Sequence, residues 1–238
     1  MVQQLSINDD DWLEPLSVYP VPAFQSGDLN PKYIVLHGTN LRSYGKCLAD
    51  WTQNTDTKES MHLLISQTGV YFQLAKFTRK VWHCGASNYQ GYYGLNNWAI
   101  GIALESVSSQ KPYSDEQLVF LDALIPVMVQ TYNIRDIVLS SYISEDSKND
   151  LGPNFPMNRY WPYVRYGNAD SAGRFAVVSP QPLNVRGGPN VLFEIIDKLE
   201  PGDGIKVLQR DFEWAFISYD KKGANGTGWV LYSYLRRL

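Results

Sequence analysis

Imidazole is the side chain whose charge changes near neutral pH and the commonest nitrogen ligand for a metal, and this 238-residue chain carries only three. His37 closes the run Tyr33-Ile34-Val35-Leu36, His62 opens Leu63-Leu64-Ile65, and His83 stands between Trp82 and Cys84. A histidine at the end of a central strand is placed to project into a groove, where it serves acid–base or metal chemistry. Lys148-Asn149-Asp150 sets a cation and a carboxylate two residues apart just before Gly152-Pro153, which by charge alone reads as a solvated loop. Cys47 and Cys84 are too few for a disulfide scaffold and lack the paired spacing of a Cys-based zinc site, so they read as buried thiols. Sixteen Tyr, seven Trp and nine Phe exceed the usual demand of core packing. Trp82, Tyr89, Tyr92, Tyr93 and Trp98 lie close to Gly85 along the chain, offering flat faces that can line a binding groove and a glycine that admits close approach.

The elements that hold these groups follow from periodicity. Residues 33–37 are an apolar, β-branched run ending at Gly38 and read as a buried central strand. Residues 40–53 carry Leu41, Leu48 and Trp51 at helical spacing, and residues 62–66 and 70–74 flank Gln67-Thr68-Gly69 as a hairpin whose turn needs positive φ. Residues 99–106 make another strand. Ser114-Asp115-Glu116-Gln117 is a capping box opening a helix with Leu118, Leu121, Leu124, Ile125 and Met128 inward and a kink at Pro126. Residues 136–140 form a further strand. This order implies an α/β fold with a mixed central sheet flanked by helices.

Texture divides the chain. Residues 1–30 hold an acidic cluster and Pro15, Pro20 and Pro22, an irregular arm; 31–166 form the α/β domain; 167–176, mostly small or polar, form a linker. Residues 177–238 have short alternating runs between glycine-rich turns, the pattern of a small all-β barrel closed by Trp214 and Trp229. A net charge of −3 from 21 basic and 24 acidic residues leaves no basic footprint for nucleic acid or anionic lipid. No apolar run approaches the roughly 18 residues of a membrane span, and residues 1–11 show neither a basic start nor a long apolar middle, so no signal peptide is visible.

Two segments resemble known families. Leu183-Asn184-Val185-Arg186-Gly187-Gly188-Pro189, Leu199-Glu200-Pro201-Gly202, Trp214 and Gly228-Trp229-Val230 resemble a bacterial SH3-like domain, which implies a wall-tethering module. The front part resembles the zinc-dependent N-acetylmuramoyl-L-alanine amidases and the peptidoglycan recognition proteins that share their fold. The residues that carry this are Tyr33-Ile34-Val35-Leu36-His37, His62-Leu63-Leu64-Ile65, Trp82-His83-Cys84-Gly85, Ile100-Gly101-Ile102, and Lys148-Asn149-Asp150 with Gly152-Pro153. The resemblance implies zinc on His37 and Asp150, with Lys148 at the position of the catalytic lysine. It places His62, Trp82, His83, Gly85, Tyr92, Tyr93 and Trp98 around the substrate cleft. It also expects a second histidine ligand where this chain has Ser140, and a catalytic glutamate where it has Ala103.

A neutral hydroxyl is a poor zinc ligand, and loss of a positioned base commonly removes a factor of about 100 to 10,000 in rate. Zinc binding at this family site is therefore expected to be weak or absent, and Glu105, two residues after Ala103 on the same strand face, is the candidate substitute for the missing base. The expected function is engagement of peptidoglycan or muropeptides by binding. The alternatives are an active zinc amidase with a rearranged site, and a protein-interaction or effector-type module gripping a protein partner through the SH3-like domain. Synthesis in the cytoplasm, with action at the wall, periplasm or outside by a non-signal route, completes the expectation.

Overall fold

A computed structural model of the chain describes residues 4–15, 17, 27–40, 42–53, 59–89, 91–106, 113–143, 151, 155–156, 159–160, 173–211, 213–221 and 223–238. Two compact units emerge, Met1–Ser87 with Gly94–Val164, and Asn88–Tyr93 with Arg165–Leu238. In chain order the first elements are β1 (Ser6–Ile7), β2 (Leu13–Glu14), β3 (Tyr33–Gly38), α1 (Tyr44–Gln53), β4 (Leu63–Ile65) and β5 (Tyr71–Gln73). Then come β6 (Asn88–Tyr89), β7 (Tyr92–Tyr93), β8 (Ala99–Leu104), α2 (Asp115–Tyr132) and β9 (Asp136–Leu139).

The first unit is built on a five-stranded sheet in the order β5-β4-β8-β3-β9, parallel except for the β4–β5 hairpin. Its strands are apolar at nearly every position because both faces are covered. Ile34, Leu36, Ile100, Ile102, Leu104, Ile137 and Leu139 share one core with Leu118, Leu121, Leu124, Ile125 and Met128 of α2. The alternate residues Leu64 and Ala103 pack instead with Cys47, Leu48 and Trp51 of α1. One helix thus sits on each face, as an α/β fold with a mixed sheet requires.

Local chemistry explains where the elements begin. The hairpin turn places Gly69 at φ +77°, the left-handed region that glycine enters without strain. Ser114 caps α2 by accepting from Gln117 N, while the Gln117 side chain returns to the Ser114 amide. The helix continues through Pro126 to Tyr132. α1 starts four residues later than the spacing predicts, because Asn40 lies at φ 49° and Arg42 N donates to Thr39 O in a separate turn. The amino-terminal arm is not irregular throughout: β1 and β2 pair antiparallel, and Leu5 and Leu13 join the core under α2. Gln73 holds it there, accepting from Leu13 N and donating to Asp11 O.

In the second unit, the β6–β7 hairpin accompanies β10 (Gly173–Val177), β11 (Leu183–Arg186), β12 (Ile195–Leu199), β13 (Gly204–Asp211), β14 (Trp214–Lys221), β15 (Ala224–Leu231) and β16 (Leu235–Arg237). These last seven form one antiparallel sheet in the order β12-β11-β15-β14-β13-β10-β16. Residues 173–176, assigned to the linker by composition, begin β10, and 167–172 lie outside the described residues. Among the described residues no helix is long and apolar enough to cross a membrane.

Gln117 does more than cap: its Nε2 donates to Ile65 O and Glu105 O, tying α2 to the ends of β4 and β8. Ser114→Ala is expected to lower stability by about 1 kcal/mol. Gln117→Ala, which takes the side-chain donor from Glu105 O while Ile65 O keeps Glu105 N, and removes the cap's return bond as well, is expected to cost about 2–3 kcal/mol. Urea midpoints of the two variants check the ranking.

Candidate functional site

Three distant positions meet at the carboxyl end of the parallel strands. β3 is paired in parallel with β8, so that His37 stands beside Ala103, and with β9, where Leu36 is opposite Leu139 and Ser140 follows directly. Ser140, His37 and Ala103 therefore form one row, all buried. Ligand sites of open α/β sheets lie at this end of the strands. Only the central member of the row carries an ionisable side chain.

The flanking positions have their own surroundings. Ala103 is packed in an apolar cluster with Cys47, Leu48, Trp51, Met61, Leu64 and Leu74. Glu105, weighed as a replacement base, is buried at the end of the same strand. One of its carboxylate oxygens accepts from Tyr44 N at 2.8 Å and the other from Gln67 N at 2.8 Å. It anchors the first amide of α1 to the β4–β5 turn, a structural duty that uses both oxygens.

Zinc held in the arrangement that the resemblance implies would draw on His37, position 140 and Asp150. Ser140 supplies a neutral hydroxyl next to a single imidazole, and Lys148 and Asp150 lie outside the described residues. The described donors at these positions do not fit the ion.

A second group of side chains converges on His37 from the segment before β8. His37 Nε2 lies 3.1 Å from His83 Nδ1, and Cys84 Sγ lies 3.0 Å from the same nitrogen. His83 Nε2 is 3.1 Å from Ala99 O, a contact in which the ring N–H donates and Nδ1 keeps its lone pair. Asn96 clamps the segment, its Oδ1 accepting from His83 N and Cys84 N and its Nδ2 donating to Cys84 O. Gly101 makes room for the ring: a Cβ there would fall 2.5 Å from His83 Cγ.

His62 is fully enclosed. Its Nδ1 accepts from Gly101 N at 2.9 Å and its Nε2 donates to Arg79 O at 2.8 Å, so both ring nitrogens brace the sheet and none is left for a ligand. Burial is the main force on both rings: it pushes His62 down to about 4 and His83 well below the ordinary histidine range, and the neighbouring imidazoles add to each shift.

The remaining expected residues are spread over both units. Trp82 is half-buried with Lys80 Nζ 4.5 Å over its ring, Gly85 is exposed, and Trp98 is half-buried with its carbonyl accepting from Lys32 N and Tyr33 N. Tyr92, half-buried, and Tyr93, exposed, lie on β7 and group with the carboxy-terminal unit. In that unit Trp214 is buried and Trp229 packs against Phe216 with ring centroids 5.2 Å apart. The structure thus unites His37, Ala103, Ser140 and His83 within the first unit, while Tyr92, Tyr93, Trp214 and Trp229 belong to the second. Cys84 and Asn96 were missed as site residues; Trp82-His83-Cys84-Gly85 pointed to the first, while nothing in the local sequence marks the second.

Residues 27–153 match the N-acetylmuramoyl-L-alanine amidase family. The 1,6-anhydro-N-acetylmuramyl-L-alanine amidase AmpD of Haemophilus influenzae is 38% identical over 109 residues, 44% of this chain and 59% of that protein. AmpD of Citrobacter freundii is 27% identical over 173 residues, 64% of this chain and 91% of its own length. A crystal structure of selenomethionine AmpD superposes with a TM-score of 0.58 at 27% identity, covering 66% of this chain and 98% of that one. AmiD from E. coli, solved with anhydro-N-acetylmuramic acid-L-Ala-D-gamma-Glu-L-Lys, superposes at 0.50 with 23% identity, covering 67% of this chain and 65% of that one, a likeness of fold.

Neutral burial of His62 has a pH consequence. An unfolded histidine titrates near 6.5 and the folded one near 4, so between these values the unfolded chain binds a proton that the folded chain refuses. Stability contributed above pH 6.5 is therefore lost as pH falls through the window, by about 2 kcal/mol at pH 5 from this residue. Denaturation at pH 7 and pH 5 should show that drop, and His62→Gln should flatten the acid limb from a lower starting stability.

Proposed function

The chain belongs to the N-acetylmuramoyl-L-alanine amidase family, and on that premise we propose that it engages peptidoglycan or its muropeptide fragments by binding them, without cutting the amide bond. The row Ser140–His37–Ala103 carries this reading. Hydrolysis of an amide needs a group that activates water and a positive centre that holds the developing oxyanion. At the end of the parallel strands one imidazole stands between a hydroxyl and a methyl group. The side occupied by Ala103 is filled with apolar side chains, where an unpaired carboxylate would cost several kcal/mol. Glu105 is committed to two backbone amides. Each observation argues against a proton carrier at the position where the family resemblance expects one.

The surface that recognises glycan and stem peptide is assigned to Trp82, Gly85 and Trp98 in the first unit. In the second unit, half-buried Tyr92 and exposed Tyr93 offer a stacking area of their own. Aromatic rings stack on sugar faces without needing a reactive group. We read the carboxy-terminal unit as an SH3-like wall-binding module; its seven antiparallel strands and its tryptophans on β14 and β15 support that reading. The substrate class of the relatives, an anhydro-muramyl-L-alanine amide, is the ligand to offer first.

Purified protein mixed with insoluble sacculi is expected to sediment with them while the supernatant gains no muropeptides above background. Protein that stays in solution would remove the wall-binding reading. Chelator-sensitive release of muropeptides would replace it with an active, rearranged amidase.

A further inference from the structure

The geometry points to a zinc-binding site formed by His37 Nε2, His83 Nδ1 and Cys84 Sγ, different from the donor set that the family resemblance implies. These three atoms lie within 4.8 Å of one another, and all three residues are buried. The inference holds whether or not the chain binds peptidoglycan, since it concerns only how these side chains are arranged.

Four features make the cluster a built site. First, two donor-bearing groups, the His37 ring and the Cys84 thiol, aim at the single lone pair of His83 Nδ1 from 3.1 and 3.0 Å. Three potential ligand atoms thus converge on one small volume, the arrangement that a bound cation uses. Second, the spacing is near that of the ion: Zn–N near 2.1 Å and Zn–S near 2.3 Å place tetrahedral ligands roughly 3.3–3.7 Å apart, so the two contacts at His83 Nδ1 open by about 0.3–0.6 Å, while His37 Nε2 and Cys84 Sγ lie within 4.8 Å of each other. Third, His83 donates its other ring nitrogen to Ala99 O, the outer-shell contact that fixes tautomer and ring direction in metal-ligating histidines. Fourth, the ligand-bearing backbone is rigid. Asn96 bonds three polar atoms of residues 83 and 84, and the ring of His83 rests on Gly101, where any side chain would collide.

Two imidazoles and a thiolate are a borderline-soft set that favours zinc over magnesium or calcium, which take oxygen ligands. Binding is a ligand exchange: Zn²⁺ sheds waters, the Cys84 thiol releases its proton to solvent, and three protein bonds form. A fourth position remains for water or another donor. Gly85 and Ala86, directly after Cys84, are exposed, so the cluster lies next to the surface along the chain.

Protein stripped by chelator and returned to Zn²⁺ alone is expected to take up one zinc per chain by elemental analysis. With Co²⁺ in its place it should show the near-ultraviolet charge-transfer absorption of a cobalt–thiolate bond. Cys84→Ser is expected to abolish that absorption and weaken zinc binding by more than about 100-fold, beyond the loss caused by removing an outer-shell partner. Cys47→Ser and Asp150→Asn are expected to leave both readouts unchanged. A wild-type chain that takes up no zinc overturns the inference, as does cobalt–thiolate absorption persisting in Cys84→Ser. Zinc binding lost with Asp150→Asn and kept with Cys84→Ser returns the ion to the family arrangement. Should Cys84→Ser fail to fold, alkylation of the wild type followed by mass spectrometry decides: Zn²⁺ protects Cys84 if the inference holds, and equal labelling with and without the ion refutes it. Cys47, whose thiol burial pushes up to about 11, is the internal reference.

Discussion

Residues 37, 103 and 140 are neighbours because β3 is hydrogen-bonded in parallel to β8 on one side and to β9 on the other, in a register that both faces of the sheet enforce. A slip of one residue in either pairing would turn Leu36 and Ile102 toward α1 and expel them from the α2 core. Burial of two apolar faces is thus what aligns the carboxyl ends of the strands. The chemistry at those ends is a passenger on that alignment. It explains how a family scaffold persists with a hydroxyl and a methyl group in the row: the pairing that places these positions is made by backbone groups and not by the side chains of Ser140 and Ala103.

A scaffold of this kind separates architecture from activity. The same parallel pairing that presents His37 also delivers Gly101, whose missing side chain lets the His83 ring lie against β8, and whose amide donates to His62. One glycine therefore orders two imidazoles, one enclosed as a brace and one facing His37. Asn96, in the turn before β8, completes the arrangement through the backbone of residues 83 and 84. Side chains that touch no ligand in the family resemblance decide where the reactive ones point, and in this chain they direct a thiol and two ring nitrogens onto one another.

Carboxylates show the same division of labour. Glu105, two residues beyond Ala103 on one strand, has the type and the side of the sheet that a substitute base would need. Its two oxygens instead meet the amides of Tyr44 and Gln67, because the start of α1 and the β4–β5 turn both bring unsatisfied donors to that spot. Type and periodicity describe what a residue is able to do, while the unsatisfied groups around it determine what it does.

Much of the first unit was legible in the sequence. Unbroken apolar runs marked strands covered on both faces, Gly69 marked the hairpin turn, and Ser114 with Gln117 marked the start of α2, since each signal depends on residues close in the chain. The mixed sheet flanked by helices followed from their order. Tertiary structure alone decided the rest. The arm at residues 5–15 pairs and packs because Gln73 and the core under α2 receive it. The hairpin bearing Tyr92 and Tyr93 groups with the carboxy-terminal unit. Cys84, inert by its spacing from Cys47, meets two imidazoles drawn from 46 residues apart. Short-range patterns fix local backbone preference, but convergence of distant side chains is set by strand register and by the packing that enforces it, and neither is written in any one stretch of the chain.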